Sequence, residues 1–300
     1  MDPQHNDTAA VVAAVTRWYA EHARDLPWRR ADASPWAVLI SEIMLQQTPV
    51  NRVLPAYEEW VARWPTPADL AAEEPAAAVR AWGRLGYPRR ALRLHAAACA
   101  IVERHGGDVP ADYDDLVALP GIGDYTAAAV ASFAYRRRHV VLDTNVRRVL
   151  TRVVTGEQFP ATSPSAAERR LATDLLPADG PAAATWAVAS MELGALVCTA
   201  RSPSCERCPV RTECAWRRAG YPATDRPRRV QRYDGTDRQA RGRLLAVLRD
   251  ATGPVTARRL ATAWDDQVQR ARALDSLVAD GLVEPLAGNR YRLPQTTPTS

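Results

Sequence analysis

The stretch LPGIGDYTAAAV (119–130) joins two segments with helical periodicity, 112–118 and 124–135. Its glycines, Gly121 and Gly123, flank a single apolar residue, so the backbone can turn tightly between the two helices. Consecutive backbone N–H groups are then exposed at the start of the second helix, where an anion binds without any preference for base sequence. Gly121 and Gly123 therefore suit a site for a phosphate group; an ordinary tight helix connection is the alternative.

Helical periodicity also dominates the chain on both sides of this hairpin. Apolar residues recur at spacings of three and four in the following segments: 8–24, 36–47, 50–63, 75–83, 88–105, 112–118, 124–135, 143–153, 164–176 and 182–195. No alternating strand pattern is evident before residue 280. The sequence therefore predicts an all-α domain over residues 1–216.

The residues after this domain differ in composition. Residues 217–235 are polar, contain proline and are rich in arginine, so we interpret them as a linker to a small domain at 236–293. Helices are predicted at 238–250, 256–263 and 265–280, and two short strands within 282–293. Three helices and a hairpin resemble a winged helix, a likeness of fold that does not establish function. The tail, 294–300, is expected to be disordered.

All 39 basic side chains are arginines, because the chain contains no lysine. A lysine Schiff base, a lysine general base and the lysine of a phosphate-binding loop are therefore excluded. The formal net charge of +5 favours a polyanionic partner only weakly. The N-terminal residues lack the pattern of a secretory signal, and no apolar run reaches the length of a membrane span. We expect a cytoplasmic protein that does not bind membranes.

Four of the five cysteines, Cys198, Cys205, Cys208 and Cys214, are clustered in the sequence. In a reducing compartment such a cluster is more typical of a metal site than of disulfides. Four thiolates suit a tetrahedral zinc site, but zinc ribbons use two CxxC pairs and this segment contains one. The spacing C-x6-C-x2-C-x5-C is instead similar to the [4Fe–4S] loop of endonuclease III-like DNA glycosylases. We predict a [4Fe–4S] cluster, with zinc as the alternative.

Two carboxylates lie beside apolar residues. A stripe at helical spacing is predicted to face the core: Trp36, Leu39, Ile40, Ile43, Met44 and Gln47. Glu42 lies at the edge of this stripe, where an apolar environment would raise its pKa and let it act as an acid; a solvated glutamate is the alternative. Asp143 follows three apolar residues at a predicted helix start, where it can be an N-cap, a catalyst or both.

Two carboxylates in contrasting surroundings suit the cleavage of a glycosidic bond. One of them protonates the leaving group, and the other stabilises the cationic transition state of the sugar. Glu42 and Asp143 are therefore the candidate catalytic pair.

Several motifs occur together in one order along the chain. They are RDLPWR (24–29), SEIMLQQTPV (41–50), GRLGYPRRALRLH (83–95), LPGIGDYTAAAV (119–130), VLDTNVRRVL (141–150) and MELGALVCTARSPSCERCPVRTEC (191–214). Over roughly residues 10–220 the sequence resembles the adenine DNA glycosylases of the MutY family, in the helix-hairpin-helix superfamily. The resemblance implies the two-lobed helical fold of that superfamily, with an iron–sulfur cluster loop.

The resemblance also implies catalytic roles. Glu42 would protonate the extruded adenine and then assist water, and Asp143, supported by Asn145, would stabilise the cationic sugar. Tyr125 stands where relatives with strand-cleaving lyase activity carry a lysine. Because the chain has no lysine, we expect hydrolysis of the base without cleavage of the strand.

Further residues match the family's contacts with the base and the duplex. Arg24, Leu26 and Trp28 match the adenine pocket, and Gln47 and Tyr87 match residues that probe the opened duplex, with the tyrosine inserted beside the lesion. The expected DNA contacts are Gln46, Thr48, Gly121, Gly123 and Arg201. The alternatives are core packing for Trp28 and Tyr87, a position at a helix end for Gln47, and a place on a solvated basic rim for Arg201.

The chain departs from the family at three places. Val188 stands where a glutamine or glutamate commonly binds the flipped adenine, and Thr144 stands where glycine is commoner. Residues 236–300 are too short and too helical for the β-rich domain that recognises 8-oxoguanine in typical members. Because Val188 cannot form that hydrogen bond, selection of adenine must rest on other groups, such as the backbone or water. Residues 236–300 are either a duplex-binding wing or a packing or partner module.

We expect a monomeric, monofunctional adenine DNA glycosylase of base excision repair, acting on double-stranded DNA that contains A:8-oxoguanine or A:G mispairs. Another mismatch or damaged-base glycosylase of the superfamily, such as one specific for thymine, is the first alternative. A non-catalytic iron–sulfur regulator that binds DNA is the second, and for it Glu42 and Asp143 would be dispensable.

Overall fold

The computed structural model describes residues 8–224 and 233–295 of the chain. Contacts between segments define two compact units. The first is built from residues 8–38, 111–117 and 122–224, and the second from residues 39–110, 118–121 and 233–295. Parts of the predicted linker (225–232) and tail (296–300) lie outside the described residues. The domain boundaries drawn from the sequence remain predictions.

The described chain is mostly helical, which confirms the predicted all-α class. The α-helices are α1 (Thr8–His22), α2 (Pro35–Leu45), α3 (Val50–Arg63), α4 (Pro67–Ala71), α5 (Pro75–Ala81), α6 (Arg89–His105), α7 (Tyr113–Val117), α8 (Asp124–Phe133), α9 (Thr144–Leu150), α10 (Ala166–Asp174), α11 (Gly180–Leu196), α12 (Ala215–Arg218), α13 (Asp237–Asp250), α14 (Ala257–Ala261) and α15 (Gln267–Ala279). Short 3-10 turns occur at Pro27–Arg29 and Cys205–Arg207, and α9 continues into a π-helical turn at Thr151–Thr155.

In the first unit, α11 packs against both α1 and α9. Apart from Glu192, its residues are apolar or small on all sides, which suits a helix in the interior of a domain. Gly194 lets α9 approach closely, because a Cβ atom at this position would lie 2.7 Å from the Cβ of Asn145. Close packing of α11 against α9 therefore fixes the position of Asn145.

In the second unit, α6 packs against α4 and α5. Trp60, Trp64 and Trp82 pack edge to face in the core, with centroid distances of 4.7 Å (Trp60–Trp64) and 5.4 Å (Trp60–Trp82). Gly121 of the hairpin lies against α6 with a φ of +77°, and a Cβ there would be 2.6 Å from the Cβ of Arg93. The hairpin turn therefore requires glycine both for its conformation and for space.

The C-terminal residues of the second unit form three helices and a small sheet. α13 packs against α15 and also contacts α5. The sheet has the order β1-β3-β2 and is antiparallel, with β1 at Val255–Thr256, β2 at Glu284–Leu286 and β3 at Arg290–Arg292. The predicted hairpin of β2 and β3 is present. β1 was not predicted, because two residues carry no alternating pattern.

Two further features differ from the predictions. α2 ends at Leu45, and Gln47 is exposed with a φ of +55°, so the expectation that Gln47 faces the core is wrong. α4 was not predicted, although Thr66 and Asp69 form a capping box at its start. α12 was not predicted either. Among the described residues, no helix combines the length and apolar character needed to cross a membrane.

Candidate active site

Asp143 is held at the start of α9 by two hydrogen bonds. Its Oδ1 accepts one from the backbone N–H of Val146 at 2.6 Å, and its Oδ2 accepts one from Nδ2 of Asn145 at 2.7 Å. Burial raises the pKa of Asp143, and these bonds and the charge of Arg148 oppose part of the rise. Asp143 is thus an N-cap whose oxygens are fixed in position and partly withdrawn from water.

A chain of hydrogen bonds leads from Asp143 to the cysteine loop. Asn145 Oδ1 accepts from Nη2 of Arg148 at 2.8 Å, and Arg148 Nε donates to the carbonyl of Cys198 at 2.7 Å. The same guanidinium donates to the carbonyl of Gly194 at 2.7 Å. Arg148 was not predicted from the sequence, although it lies in the motif VLDTNVRRVL.

Glu42 lies in α2 and is 6% exposed. The residues around it in the helix, from Trp36 to Met44, are buried on every face rather than along one stripe. The structure therefore places Glu42 in the protein interior, and the solvated alternative is wrong. Its assignment as the general acid stays a prediction.

The loop RDLPWR is attached to α11 by an ion pair that sequence reasoning missed. Glu192 is fully buried. Its carboxylate accepts three hydrogen bonds from Arg24, whose donors are the backbone N–H (3.1 Å), Nε (2.8 Å) and Nη2 (2.7 Å). Arg29 Nη2 adds a fourth at 2.9 Å. Burial alone would raise the pKa of Glu192, but the two arginines outweigh it and lower the pKa to about 2. The guanidinium of Arg24 thus holds the loop in place.

Arg29 is a further candidate that the sequence did not single out. Its Nη1 is buried and has no hydrogen-bond partner among the described residues. A buried donor without a partner is costly, so this atom is a candidate contact for a bound ligand. Leu26 and Trp28, predicted to line the adenine pocket, are both buried in the same loop. Val188 is half-buried in α11.

In the second unit, one buried arginine joins two segments predicted to meet DNA. Arg90 Nη1 donates to the carbonyls of Ile43 (2.8 Å), Met44 (3.0 Å) and Gln46 (2.6 Å). Arg90 Nη2 donates to the hydroxyl of Thr48 (3.0 Å) and the carbonyl of Gly86 (3.1 Å).

This arginine brings Gln47 and Tyr87, the residues expected to probe the duplex, into one arrangement. Both have left-handed backbones, with φ of +55° and +47°, and Tyr87 is 51% exposed. The Arg90 guanidinium lies 5.4 Å from the ring centroid of Tyr87. The structure therefore does not place Tyr87 in the core.

The other predicted residues are distributed as follows. Tyr125 packs in α8 against a small core cluster that contains Val141, two residues before Asp143. Gly123 is the N-cap of α8. Arg201 is exposed in the cysteine loop. The candidates thus form two groups: Asp143, Asn145, Tyr125 and the 24–29 loop in the first unit, and Glu42, Gln46, Gln47, Thr48, Tyr87 and Gly121 in the second.

The four clustered cysteines line one cavity of about 380 Å3, part of which is open to solvent. Burial raises the pKa of Cys208 to about 12, and the neighbouring thiols act in the same direction. Four thiolates at this place therefore require positive charge among them, which the iron of a cluster supplies.

A second buried arginine supports the same loop. Arg152 is 1% exposed, and its Nη1 lies 3.4 Å from the sulfur of Cys198 and donates to the carbonyl of Thr199 at 2.8 Å. Its guanidinium lies 4.5 Å from the ring centroid of Trp216. The residues present therefore fit a [4Fe–4S] cluster held by Cys198, Cys205, Cys208 and Cys214.

Comparisons with known proteins agree with this site. Residues 40–173 match the family described as HhH-GPD superfamily base excision DNA repair protein, and residues 198–214 match the iron-sulfur binding domain of endonuclease III. The adenine DNA glycosylase of Mycolicibacterium smegmatis is 55% identical over 278 residues, with 92% of this chain and 93% of that protein covered. That of Mycobacterium tuberculosis is 52% identical over 294 residues, with 97% and 95% covered.

A solved structure of a thermostable thymine-DNA glycosylase has a TM-score of 0.65 and 26% identity, and the match covers 73% of this chain and all of that one.

The bacterial relatives align over most of the C-terminal residues as well, because their alignments span 92% and 97% of the chain. The chain therefore belongs to the adenine DNA glycosylases of the HhH-GPD superfamily, and its loop 198–214 binds a [4Fe–4S] cluster.

Proposed function

We propose that the enzyme hydrolyses the N-glycosidic bond of adenine mispaired with 8-oxoguanine or guanine in double-stranded DNA, acting as a monomer at the nucleoid. The two mycobacterial relatives that align along nearly the whole chain are both adenine DNA glycosylases. The observation that carries the proposal is Asp143, a partly buried carboxylate fixed by Val146 and Asn145. Such a carboxylate can stabilise a cationic sugar without reorganising.

Glu42 is the proposed acid. A proton on its carboxyl would pass to a ring nitrogen of adenine as the bond to the sugar breaks, and the resulting carboxylate would then accept a proton from the attacking water. Asp143 remains ionised throughout and faces the positive charge that develops on the sugar. Because burial raises the pKa of Asp143, the rate should fall on the acid side at a higher pH than an exposed aspartate would give.

Selection of adenine is proposed to rest on the 24–29 loop. Val188 offers no hydrogen bond to a base through its side chain, whereas Arg29 has a buried Nη1 without a partner among the described residues. Glu192 holds Arg29 through the neighbouring nitrogen, Nη2, so that Nη1 is left for a base acceptor. Trp28 and Leu26 would supply the apolar walls.

We propose that the strand is not cleaved. A Schiff base with the sugar needs an amine, and the chain has no lysine side chain. Tyr125 occupies the position that carries lysine in lyase-active relatives, according to the sequence resemblance.

The test is a duplex assay with purified protein and A:8-oxoguanine, A:G and T:G oligonucleotides. Alkali-labile products are expected from the first two duplexes, and no nicks are expected before alkali. Alkali-labile product from T:G alone would favour the thymine-specific alternative, to which the similarity with a thymine-DNA glycosylase structure points. Nicking without alkali would overturn the monofunctional assignment.

Two variants test the assigned roles. Asp143→Asn should lower the single-turnover rate by roughly a thousandfold, about 4 kcal/mol, because the amide keeps the cap but loses the charge. The matched control is Asp179→Asn, since Asp179 caps α11 by accepting from Ala182 N–H at 2.9 Å. Glu42→Gln should be similarly impaired. Full activity in either active-site variant would remove that residue from catalysis.

A further inference from the structure

The loop of residues 82–88 connects α5 to α6 and carries Tyr87. Gly83, Gly86 and Tyr87 all have left-handed backbones, with φ of +52°, +84° and +47°. A non-glycine residue in this conformation is unfavourable and persists only where surrounding contacts hold it. The contacts made by this loop therefore determine whether Tyr87 stays in place.

Arg249, near the end of α13, contacts the chain just before Tyr87. Its Nε donates to the carbonyl of Val79 at 2.9 Å, and its Nη1 donates to the carbonyl of Gly83. Val79 lies in the last turn of α5, where helix carbonyls lack partners and attract cations. Burial lowers the pKa of Arg249 to about 10, so the side chain is withdrawn from water at this contact.

Asp280, directly after α15, contacts the chain just after Tyr87. Its Oδ1 lies 3.2 Å from Nη1 of Arg89, the first residue of α6, and its Oδ2 pairs with Arg241 of α13. Arg80 of α5 also donates to the carbonyl of Ala251 at 3.4 Å. The C-terminal helices thus contact the loop on both sides of Tyr87.

We propose that the C-terminal residues 236–293 contribute to mispair recognition indirectly, by fixing the loop that presents Tyr87. Arg249 and Asp280 are positioning residues in this scheme, and they touch neither the base nor the reacting atoms. The inference rests on the proposed function and on the expectation, from the sequence resemblance, that Tyr87 enters the duplex beside the mispair. Loss of either contact lets the strained loop relax, and the ring then meets the duplex in a less favourable orientation.

This assignment gives the C-terminal helices a task that does not require them to read the opposite base. A tyrosine inserted into a duplex separates stacked bases, which costs least where pairing is already weak. A firmly held Tyr87 ring therefore favours binding to a duplex whose bases are weakly paired over a fully paired duplex. A loosely held ring discriminates less well. The expected defect lies in discrimination between duplexes.

The experiment measures binding by the full-length holoenzyme. The probes are duplexes with A:8-oxoguanine or A:T, in which a 2′-fluoro group on the adenosine prevents cleavage. Arg249→Lys and Asp280→Asn should each lower the ratio of the two affinities by about tenfold, the scale of a charge-assisted hydrogen bond. Arg272→Ala is the matched control, because Arg272 is an exposed arginine of α15 whose ion pair with Asp237 stays within the C-terminal helices.

A second set of variants carries Tyr87→Ala. If Arg249 and Asp280 act through Tyr87, their substitution in this background should change the ratio by less than about twofold, because interacting residues are not additive. An undiminished loss in the Tyr87→Ala background, or an equal loss in Arg272→Ala, would overturn the inference. Thermal unfolding identifies any variant that fails to fold, and the milder Asp280→Asn then decides. A wild-type protein that does not prefer A:8-oxoguanine would instead refute the proposed function.

Discussion

A buried charge holds each of two regions: the loop at 24–29, and the paired segments around Gln47 and Tyr87. The first charge is paired with charges of opposite sign, whereas the second is bonded to neutral groups. Glu192 is a buried carboxylate surrounded by two arginines, so its charge is compensated. Arg90 is a buried cation whose hydrogen bonds go to carbonyl and hydroxyl oxygens. The pKa of Glu192 falls to about 2, which favours its charge, whereas burial lowers the pKa of Arg90 to about 10, which disfavours its charge.

This difference matches the role proposed for each segment. An ion pair with four hydrogen bonds gives the 24–29 loop one rigid position, which suits its proposed role in a pocket for a single base. Arg90 donates hydrogen bonds to several carbonyl groups, but burial of its guanidinium carries a desolvation penalty. The backbone that it holds is itself strained at Gln47 and Tyr87. The first region should therefore be the more stable of the two, and the second the easier to disturb.

Removing the compensated charge should have the largest effect. Glu192 is fully buried, and Glu192→Gln leaves the half-buried Arg24 and Arg29 without a carboxylate, so the free energy of unfolding should fall by about 3–5 kcal/mol. Urea unfolding measures the change. The control is Glu206→Gln: Glu206 also lies near two arginines, Arg211 and Arg217, but it is 76% exposed and should lose less than about 1 kcal/mol. Equal losses would show that burial does not distinguish the two sites.

Acid should weaken the same region next. Because the pKa of Glu192 is lowered from 4.5 to about 2, its contribution is present above pH 4.5 and is lost as the pH falls towards 2. The amount is on the order of 3 kcal/mol. Urea midpoints of the wild-type protein and Glu192→Gln should therefore converge over this pH range. A difference that stays constant would contradict the assigned pKa.

Replacing the uncompensated cation should have a smaller effect. Arg90→Lys cannot bridge the same carbonyls, so the free energy of unfolding should fall by about 2 kcal/mol and affinity for the A:8-oxoguanine duplex should fall with it. The control is Arg104→Lys, an exposed position on the same helix. If stability fell while affinity for the duplex did not change, Arg90 would have no role in supporting the segments expected to probe the duplex.

Relieving backbone strain should have the smallest effect and the opposite sign. Gln47→Gly should raise the free energy of unfolding by about 1 kcal/mol, because glycine adopts the left-handed conformation without a steric penalty. Affinity for the mispaired duplex should nevertheless fall, because the side chain is lost. Gln46→Gly is the control, since Gln46 does not have a positive φ and should gain nothing. A loss of stability in Gln47→Gly would show that the strain is absent.

Long amphipathic helices were predictable because their apolar residues repeat over several turns. The segment 50–63 coincides with α3, and 88–105 differs from α6 by one residue. The elements that were missed, α4, α12 and β1, are all short, although α7 and α14 are also short and fall within predicted helical segments. The assignment of Gln47 to the core was wrong because a helical period cannot show that the helix has already ended and the backbone has reversed.

The cysteine cluster and the two carboxylates were visible in the sequence as spacing and as apolar context. The supporting arginines were not. Arg29, Arg90, Arg148 and Arg249 look like any of the 39 arginines until tertiary contacts show which are withdrawn from water. Glu192 lies inside the quoted motif MELG, but only the structure connects it with the 24–29 loop.

The contacts of Arg249 and Asp280 also bear on the order of events during synthesis. Asp280 leaves the ribosome 191 residues after Arg89, its partner beside the Tyr87 loop. At roughly 5–20 residues per second, the loop exists for about 10–40 seconds with only its local support, including Arg90. A nascent chain can therefore form the Arg90 contacts early, whereas the contacts with Arg249 and Asp280 require translation to pass residues 249 and 280.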